Sequence, residues 1–327
     1  MSELSAAIAA QLELDPPLQV FHLPAGDVWI QRDDLIHPII SGNKWRKLYG
    51  HLLRMELQGK RCLLTYGGAY SNHLVATAVA AQAAGINCIG ILRGDEPLDN
   101  HYLQVAREAG MTLVGVSRSL YRDKQAALDF VLQQQVLTES EVYVVAEGGK
   151  GEAGFVGFEA LVNAWKNKDV RFEHVFHASA TATTALGLRR ALDLRKGKVI
   201  NENGTATLDP ENRNESVAPQ VHAVMVLKNE EEQRGFAQQE GLLTGIEFLG
   251  DYTFGGYAKS DARLHNFMDV VVGMNNIPLD WVYTGKAVYA LNEWLEAEQV
   301  KGGLQPNEQG IYPVIFLHTG GTLSMSI

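Results

Sequence analysis

The chain has 327 residues, 46% of them hydrophobic, and a formal net charge of -10 at pH 7. That length suits two lobes sharing a cleft rather than one small core. The acidic balance leaves no basic stripe for phosphate backbones, so no nucleic-acid partner is expected, and apolar stretches such as 74–84 are too short and too interrupted to span a membrane.

Residues 1–14 carry Glu3 and Glu13 and lack a basic start followed by an apolar core, so no secretory signal is expected and the cytoplasm is the default location. A strand-like run from Val28 to Asp34 then leads through a short loop to Ser41-Gly42-Asn43-Lys44-Trp45-Arg46-Lys47. A lysine at a strand exit can be held at the mouth of a pocket. Burial or nearby cations there disfavour its ammonium form and make it a nucleophile, most specifically toward a carbonyl cofactor. A solvated lysine in a basic helix start is the competing reading.

Strand-like segments follow at 62–66, 86–92, 111–116, 142–146, 175–178, 221–227 and 312–317, with helical patterns between them, as at 72–84 and 123–134. This alternation predicts a parallel α/β protein, in which ligands gather beyond the carboxyl ends of the strands. Cys62 and Cys88 fall in apolar strand-like runs and are expected as buried reduced thiols. The polar, turn-rich segment 196–219 reads as a surface excursion.

Beyond Lys44, three strand exits hold chemistry-bearing residues. In Gly67-Gly68-Ala69-Tyr70-Ser71-Asn72-His73, two glycines admit a ligand close to the backbone, while Ser71 or Asn72 can also simply cap the next helix. In Ala178-Ser179-Ala180-Thr181-Ala182-Thr183-Thr184, hydroxyl residues and free amides at a helix start make an anion site suited to a phosphate, or again only a cap. His318-Thr319-Gly320-Gly321 leaves the last strand.

Weaker patterns compete. Gly149, Gly151 and Gly154 satisfy G-x-G-x-x-G after the 142–146 strand, but late in the chain rather than in a first strand–helix–strand unit. Ser71 sits at a strand-to-helix turn without the flanking glycines of a nucleophile elbow, and no triad partner is identifiable for a hydrolase. His174 and His177, three apart on a strand, face opposite sides and make poor joint metal ligands, so no metal is expected.

Arg32-Asp33-Asp34-Leu35 with the Lys44 block, the 67–73 and 178–184 loops, Gly255-Gly256-Tyr257, Asp280-Trp281-Val282-Tyr283-Thr284-Gly285-Lys286-Ala287 and the 318–321 exit occur in one order along the chain. Together they resemble the pyridoxal-phosphate enzymes of fold type II, in the branch of 1-aminocyclopropane-1-carboxylate deaminase and D-cysteine desulfhydrase. The resemblance implies a tryptophan synthase β-like α/β fold: two three-layer lobes with mostly parallel sheets and the cofactor in the cleft. Residues 1–50 and 162–327 would form the large cofactor-binding domain and 51–161 a smaller inserted one.

It further implies that Lys44 carries pyridoxal 5′-phosphate and is catalytic together with Ser71, Tyr257 and Tyr283. Lys47, Asn72, Ser179, Ala180, Thr181, Ala182, Thr183, Thr184 and Thr319 would bind the cofactor, Asn72 at its phenolic oxygen and Thr319 at its pyridine nitrogen. Ser71, Asn72, His73, Tyr257 and Tyr283 would face a small amino-acid substrate, and the assembly would be a homodimer. Tyr257 packed in the core and Thr319 merely ending a strand are the competing readings.

The chain departs from the family pattern at several positions. Ala180 and Ala182 stand where the phosphate loop usually has glycine, Val75 and Ala76 replace a common arginine-glutamine pair, and Trp281 replaces a common proline. Each alanine resists a positive φ and adds a methyl where amides would wrap a phosphate. Thr284 stands where the ring-opening deaminases carry an acid that reaches the pyridine nitrogen. A threonine cannot stabilise a protonated ring, which favours loss of a β-leaving group over cleavage of a carbon ring. The expected reaction is therefore α,β-elimination in the manner of D-cysteine desulfhydrase, giving a 2-oxo acid and ammonia. The alternatives are deamination of 1-aminocyclopropane-1-carboxylate and a non-catalytic homologue kept as a binding module.

Overall fold

The structure, a computed structural model, describes residues 3–94, 99–168, 170–195, 198–200, 206–208 and 218–321. Strands form at Leu18–Leu23 (β1), Gly26–Gln31 (β2), Cys62–Gly67 (β3), Asn87–Arg93 (β4), Met111–Val116 (β5), Val142–Val145 (β6), His174–Ser179 (β7), Lys198–Ile200 (β8), Ala206–Leu208 (β9), Gln220–Met225 (β10), Ile246–Leu249 (β11) and Ile311–Leu317 (β12). The helices are Glu3–Ala9 (α1), Asn43–Leu57 (α2), Asn72–Ala84 (α3), His101–Glu108 (α4), Arg118–Arg122 (α5), Lys124–Gln135 (α6), Gly157–Asn167 (α7), Thr183–Arg195 (α8), Glu230–Gln239 (α9), Ala262–Asn275 (α10) and Thr284–Lys301 (α11).

One sheet runs β1-β2-β12-β7-β10-β11 and is parallel except for the β1–β2 hairpin; a second, all parallel, runs β5-β4-β3-β6. The chain leaves the first sheet after β2, builds the whole of the second, and returns through α7 to β7. Buried strands such as β3, whose every residue is buried, are apolar on both faces because helices cover both.

On the larger sheet, Trp165 of α7 with Leu186 and Leu188 of α8 fill one side, and Val288, Leu291 and Leu295 of α11 fill the other. The smaller sheet packs Leu74 and Leu103 on one face and Leu128 and Val131 on the other. Helix α2 arises because Trp45, Leu48, Leu52 and Met55 recur at helical spacing and are all buried. Three of them meet Ile8 of α1 and Ala76 and Ala80 of α3 in a further core.

Helix α3 keeps its expected bounds, 72–84, with Ser71 as its cap and Gly85 in the left-handed conformation ending it. The expected helix 123–134 starts one residue later because Asp123 is its cap, accepting from the Ala126 N–H at 3.0 Å. The strand expected over 28–34 stops at Gln31. Asp33–Leu35 is a 3-10 turn, in which buried Asp33 accepts two bonds from Arg46 (3.0 and 2.9 Å) and Asp34 two from Arg32 (2.8 Å each). Those carboxylates draw the chain out of the ladder.

The glycines at 148, 149 and 151 take positive φ, the first two within a 3-10 turn and the third ahead of another, and α7 begins only at 157, so the G-x-G-x-x-G segment is not a strand–loop–helix phosphate cradle. Both cysteines are free and buried. Much of the 196–219 excursion lies outside the described residues, and its described parts include the β8–β9 pair. Among the described residues no helix is long and apolar enough to cross a membrane.

Candidate active site

A cavity of about 380 Å³ opens where the exits of β2, β3, β7 and β12 converge. Lys44, Lys47, Ser71, Asn72, His73, Ser179, Ala180, Thr181, Ala182, Thr184, Tyr257, Tyr283 and Thr319 all line it, as do Asn43, Gly68, Arg93, Glu147 and Gly148. Thr183 does not line it: its side chain is buried, with the hydroxyl 3.2 Å from that of Thr181.

Lys44 stands in the first turn of α2. The turn fits against the last strand's exit only because Gly42 precedes it: φ is 61°, and a Cβ there would fall 2.0 Å from the carbonyl carbon and oxygen of Thr319. The Lys44 Nζ donates to Asn43 Oδ1 at 2.6 Å, and Asn43 Nδ2 donates to Thr184 Oγ1 at 2.8 Å, linking the amine to the start of α8. Burial pushes the Lys44 amine down to about 8, with Asp280 acting in the opposite direction. Lys47 is lowered further, by burial first and then by the charge of Lys44.

Two neighbours complete that wall. Ser71 Oγ accepts from the Leu74 N–H at 3.2 Å, so it caps α3 and faces the cavity at once. Thr65 Oγ1 donates to the Val145 carbonyl at 2.9 Å and therefore accepts from His73 Nε2 at 3.0 Å, which leaves His73 Nδ1 as a buried acceptor without a partner. Burial, then Lys47 and Lys44, hold this imidazole neutral.

The 179–184 loop adopts a geometry that its alanines were expected to resist. Ala182 takes φ 57°, whereas Ala180 keeps a negative φ. Helix α9 holds this shape from behind: Gln233 Oε1 accepts from the Ala182 N–H (3.0 Å) and from the Ser179 hydroxyl (2.6 Å), and Asn229 Nδ2 donates to the Ala180 carbonyl (3.0 Å). Gln233 Nε2 in turn donates to Asn229 Oδ1 at 3.0 Å. The loop leads into α8, whose N-terminal end and the Thr181 and Thr184 side chains face the cavity with the kind of donors that suit an anion.

The opposite wall is built on α11. Buried Asp280 accepts from the backbone N–H groups of Val282 (3.0 Å), Tyr283 (2.7 Å) and Thr284 (3.0 Å), and from the Thr284 hydroxyl (2.8 Å). Burial raises its pKa while these bonds oppose the rise. Thr284 is thereby turned to Asp280 and away from the cavity. The Tyr257 and Tyr283 rings meet edge to face, with centroids 6.5 Å apart. Tyr257 is 47% exposed, so it is no core residue. Its loop is tied to α11 by Lys286, whose buried Nζ donates to the carbonyls of Thr253 (2.8 Å) and Gly256 (3.0 Å).

The residues present fit pyridoxal phosphate. A buried amine of lowered pKa suits its aldehyde, a helix start with hydroxyls suits its phosphate, and an unpartnered buried acceptor and two paired phenols lie around the remaining space. Sequence reasoning passed over Asn43, Arg93, Asn229, Gln233, the role of Asp280 and that of Lys286. Only Asp280 left a local signal, as a capping aspartate four residues before a threonine.

The family model described as pyridoxal-phosphate dependent enzyme matches residues 13–320. A putative 1-aminocyclopropane-1-carboxylate deaminase of Pyrococcus horikoshii is 28% identical over 309 residues, covering 90% of this chain and 84% of its own. The D-cysteine desulfhydrase of Salmonella paratyphi A is 27% identical over 309 residues, covering 91% and 88%. Among solved structures, an ACC deaminase homologue superposes with a TM-score of 0.70 at 26% identity, over 98% of this chain and 95% of that one. With the family match spanning nearly the whole chain and a lysine of lowered pKa at the mouth of the cavity, the protein belongs to the pyridoxal-phosphate dependent enzymes of fold type II.

Proposed function

We propose that this enzyme removes the amino group of a small amino acid by α,β-elimination, in the manner of D-cysteine desulfhydrase, with pyridoxal phosphate held by Lys44. The observation that carries the reading is the Lys44 amine itself, lowered to about 8 and set among four strand exits. The cofactor supplies an electron sink for the bond broken at the α-carbon. Lys44, neutral in part near pH 8, takes the α-proton. The amides and Ser71 hydroxyl at the start of α3 hold the substrate carboxylate, and the Tyr257–Tyr283 pair lies beside the departing β-group. The Cβ–X electron pair leaves with X, and hydrolysis releases ammonia and the 2-oxo acid.

In this assignment Asn72 would hold the phenolic oxygen, Thr319 the ring nitrogen, and Lys47 with the 179–184 loop the phosphate. The partition into 1–50 plus 162–327 and 51–161 belongs to the same reading, supported by the two sheets drawing on those parts of the chain. So do a homodimer, supported by the family resemblance, and a cytoplasmic location, consistent with two free buried cysteines.

Deamination of 1-aminocyclopropane-1-carboxylate is the second reading, favoured by the names of several relatives. The test is to incubate cofactor-loaded enzyme with D-cysteine, β-chloro-D-alanine, L-serine and the cyclopropane amino acid, and to measure 2-oxo acid. Pyruvate from a β-substituted alanine is expected to outpace 2-oxobutanoate from the cyclopropane. The reverse order would establish ring opening, and no product from any of them would sink the catalytic assignment.

A further inference from the structure

Behind the cavity that holds Lys44 lies a second one, of about 860 Å³, and the two share Arg93, Glu147, Ala180, Thr181 and Leu227 as a common wall. The charged side chains around the second cavity nearly all have an ion-pair or hydrogen-bond partner. Lys124 meets Glu147 at 3.1 Å, Lys150 meets Glu232 at 3.5 Å, and Glu139 accepts from Gln125 at 2.8 Å. Arg93 is the exception: among the described residues no carboxylate lies within ion-pair distance of it, and its guanidinium makes no hydrogen bond.

Its placement is specific. Arg93 ends β4, at the carboxyl edge of the smaller sheet where a parallel sheet binds its ligands. One guanidinium nitrogen lies 3.5 Å from the position a Cβ would take on Gly68, so it rests against the Ser71 loop, and both Arg93 and Tyr257 line the Lys44 cavity. The exposed guanidinium there presents several donors in a fixed plane, and among the described residues none of them has an acceptor.

We infer that Arg93 reads an anionic group on the substrate's side chain, so that the preferred substrates are amino acids ending in a carboxylate or sulfonate that projects toward the second cavity. The inference rests on the reading of the Lys44 cavity as an amino-acid site. There the α-carboxylate is held by the start of α3, and Arg93 is left for a second negative charge. A charge-assisted, two-pronged bond of this kind is worth about tenfold or more in affinity.

The experiment is a titration of cofactor-loaded enzyme with both enantiomers of alanine, glutamate and cysteate, following the cofactor's visible absorbance to obtain each Kd. Wild-type protein is expected to bind the better enantiomer of glutamate or cysteate about tenfold or more tightly than alanine. Arg93→Gln should erase this ratio, and Arg93→Lys should keep part of it, since a point charge remains without the planar fork. Equal weakening of alanine and the anionic amino acids in Arg93→Gln would place Arg93 on the α-carboxylate and overturn the inference. So would a wild-type ratio near one. A coloured enzyme whose absorbance answers to no amino acid would sink the amino-acid reading of the cavity and this inference with it, whereas a colourless Lys44 site would sink the cofactor assignment first.

Discussion

Lys44 owes its reactivity to where it sits more than to what it touches. Among the described residues its amine hydrogen-bonds only the neighbouring Asn43, and burial is the larger influence on its proton, partly offset by Asp280. Replacing it with alanine removes a covalent anchor and a base and leaves the core intact. Lys44→Ala should therefore lose the cofactor's visible absorbance and all turnover while its circular dichroism stays that of the parent. Borohydride trapping of the cofactor on Lys47 instead would reassign the anchor. The pH dependence follows from the sign of the shift. Below about 8 the amine is protonated and inert, above it neutral and nucleophilic, so cofactor capture by the apoenzyme should accelerate through pH 8 and then level off. An ordinary lysine, at 10.5, would go on accelerating well beyond that point.

At the scale of elements, two supports hold the loops that face the cavity. Gln233 occupies the Ala182 N–H and the Ser179 hydroxyl together, and Ala182 sits in the left-handed region that costs an L-residue about 1–2 kcal/mol. Gln233→Ala would strand both donors. It should lower stability by about 1–3 kcal/mol and release the cofactor faster on dialysis. Ala182→Gly, by contrast, relieves the backbone but deletes a buried methyl, worth about 0.8 kcal/mol, and loosens the unfolded chain, so cofactor retention should barely change. A large gain in retention would show that the alanine, rather than α9, limits the loop.

The Tyr257 loop is the second case. Phe254 and Ala258 hold φ of 52° and 51° on either side of Tyr257, and Lys286 ties down two of the loop's carbonyls. Lys286→Met keeps the packing and removes the donors. Amides of 253–258 should then exchange with deuterium faster than those of α11, at a cost of about 1–3 kcal/mol in global stability. Unchanged exchange would show that the loop holds itself.

Across the whole molecule, α2 is the element on which both sheets converge. It begins at the exit of β2, carries Lys44 and Lys47, packs against α1 and α3, and hands the chain to β3. Its position relative to the larger sheet is set by the Asp33–Arg46 pair, bidentate and with both side chains buried. Asp33→Ala would leave a guanidinium buried and unpaired, and denaturant unfolding should show a loss of about 3–5 kcal/mol. A loss below about 1 kcal/mol would mean that solvent or another acceptor reaches Arg46.

The sequence by itself determined the α/β class, the bounds of α3, most of the central strands, and the loops that carry Lys44, Ser71, Thr181, Tyr283 and Thr319. Apart from the Tyr283 loop, which is read through the family resemblance, each of these rests on local chemistry: a run of β-branched residues, a capping serine, a glycine beside a strand exit. The tertiary structure alone decided the rest, because the partners lie far apart in the chain. Gln233 reaches across 51 residues to the 182 amide, and Asn43 across 141 to Thr184. The threonine at 284, which stands where the ring-opening deaminases carry an acid, is claimed by Asp280, and an alanine that reads as a fault at 182 is held in a glycine's conformation by a helix elsewhere in the chain. Lys44 belongs to both accounts: its position could be read along the chain, but the drop in its pKa required the walls that the folded cavity supplies.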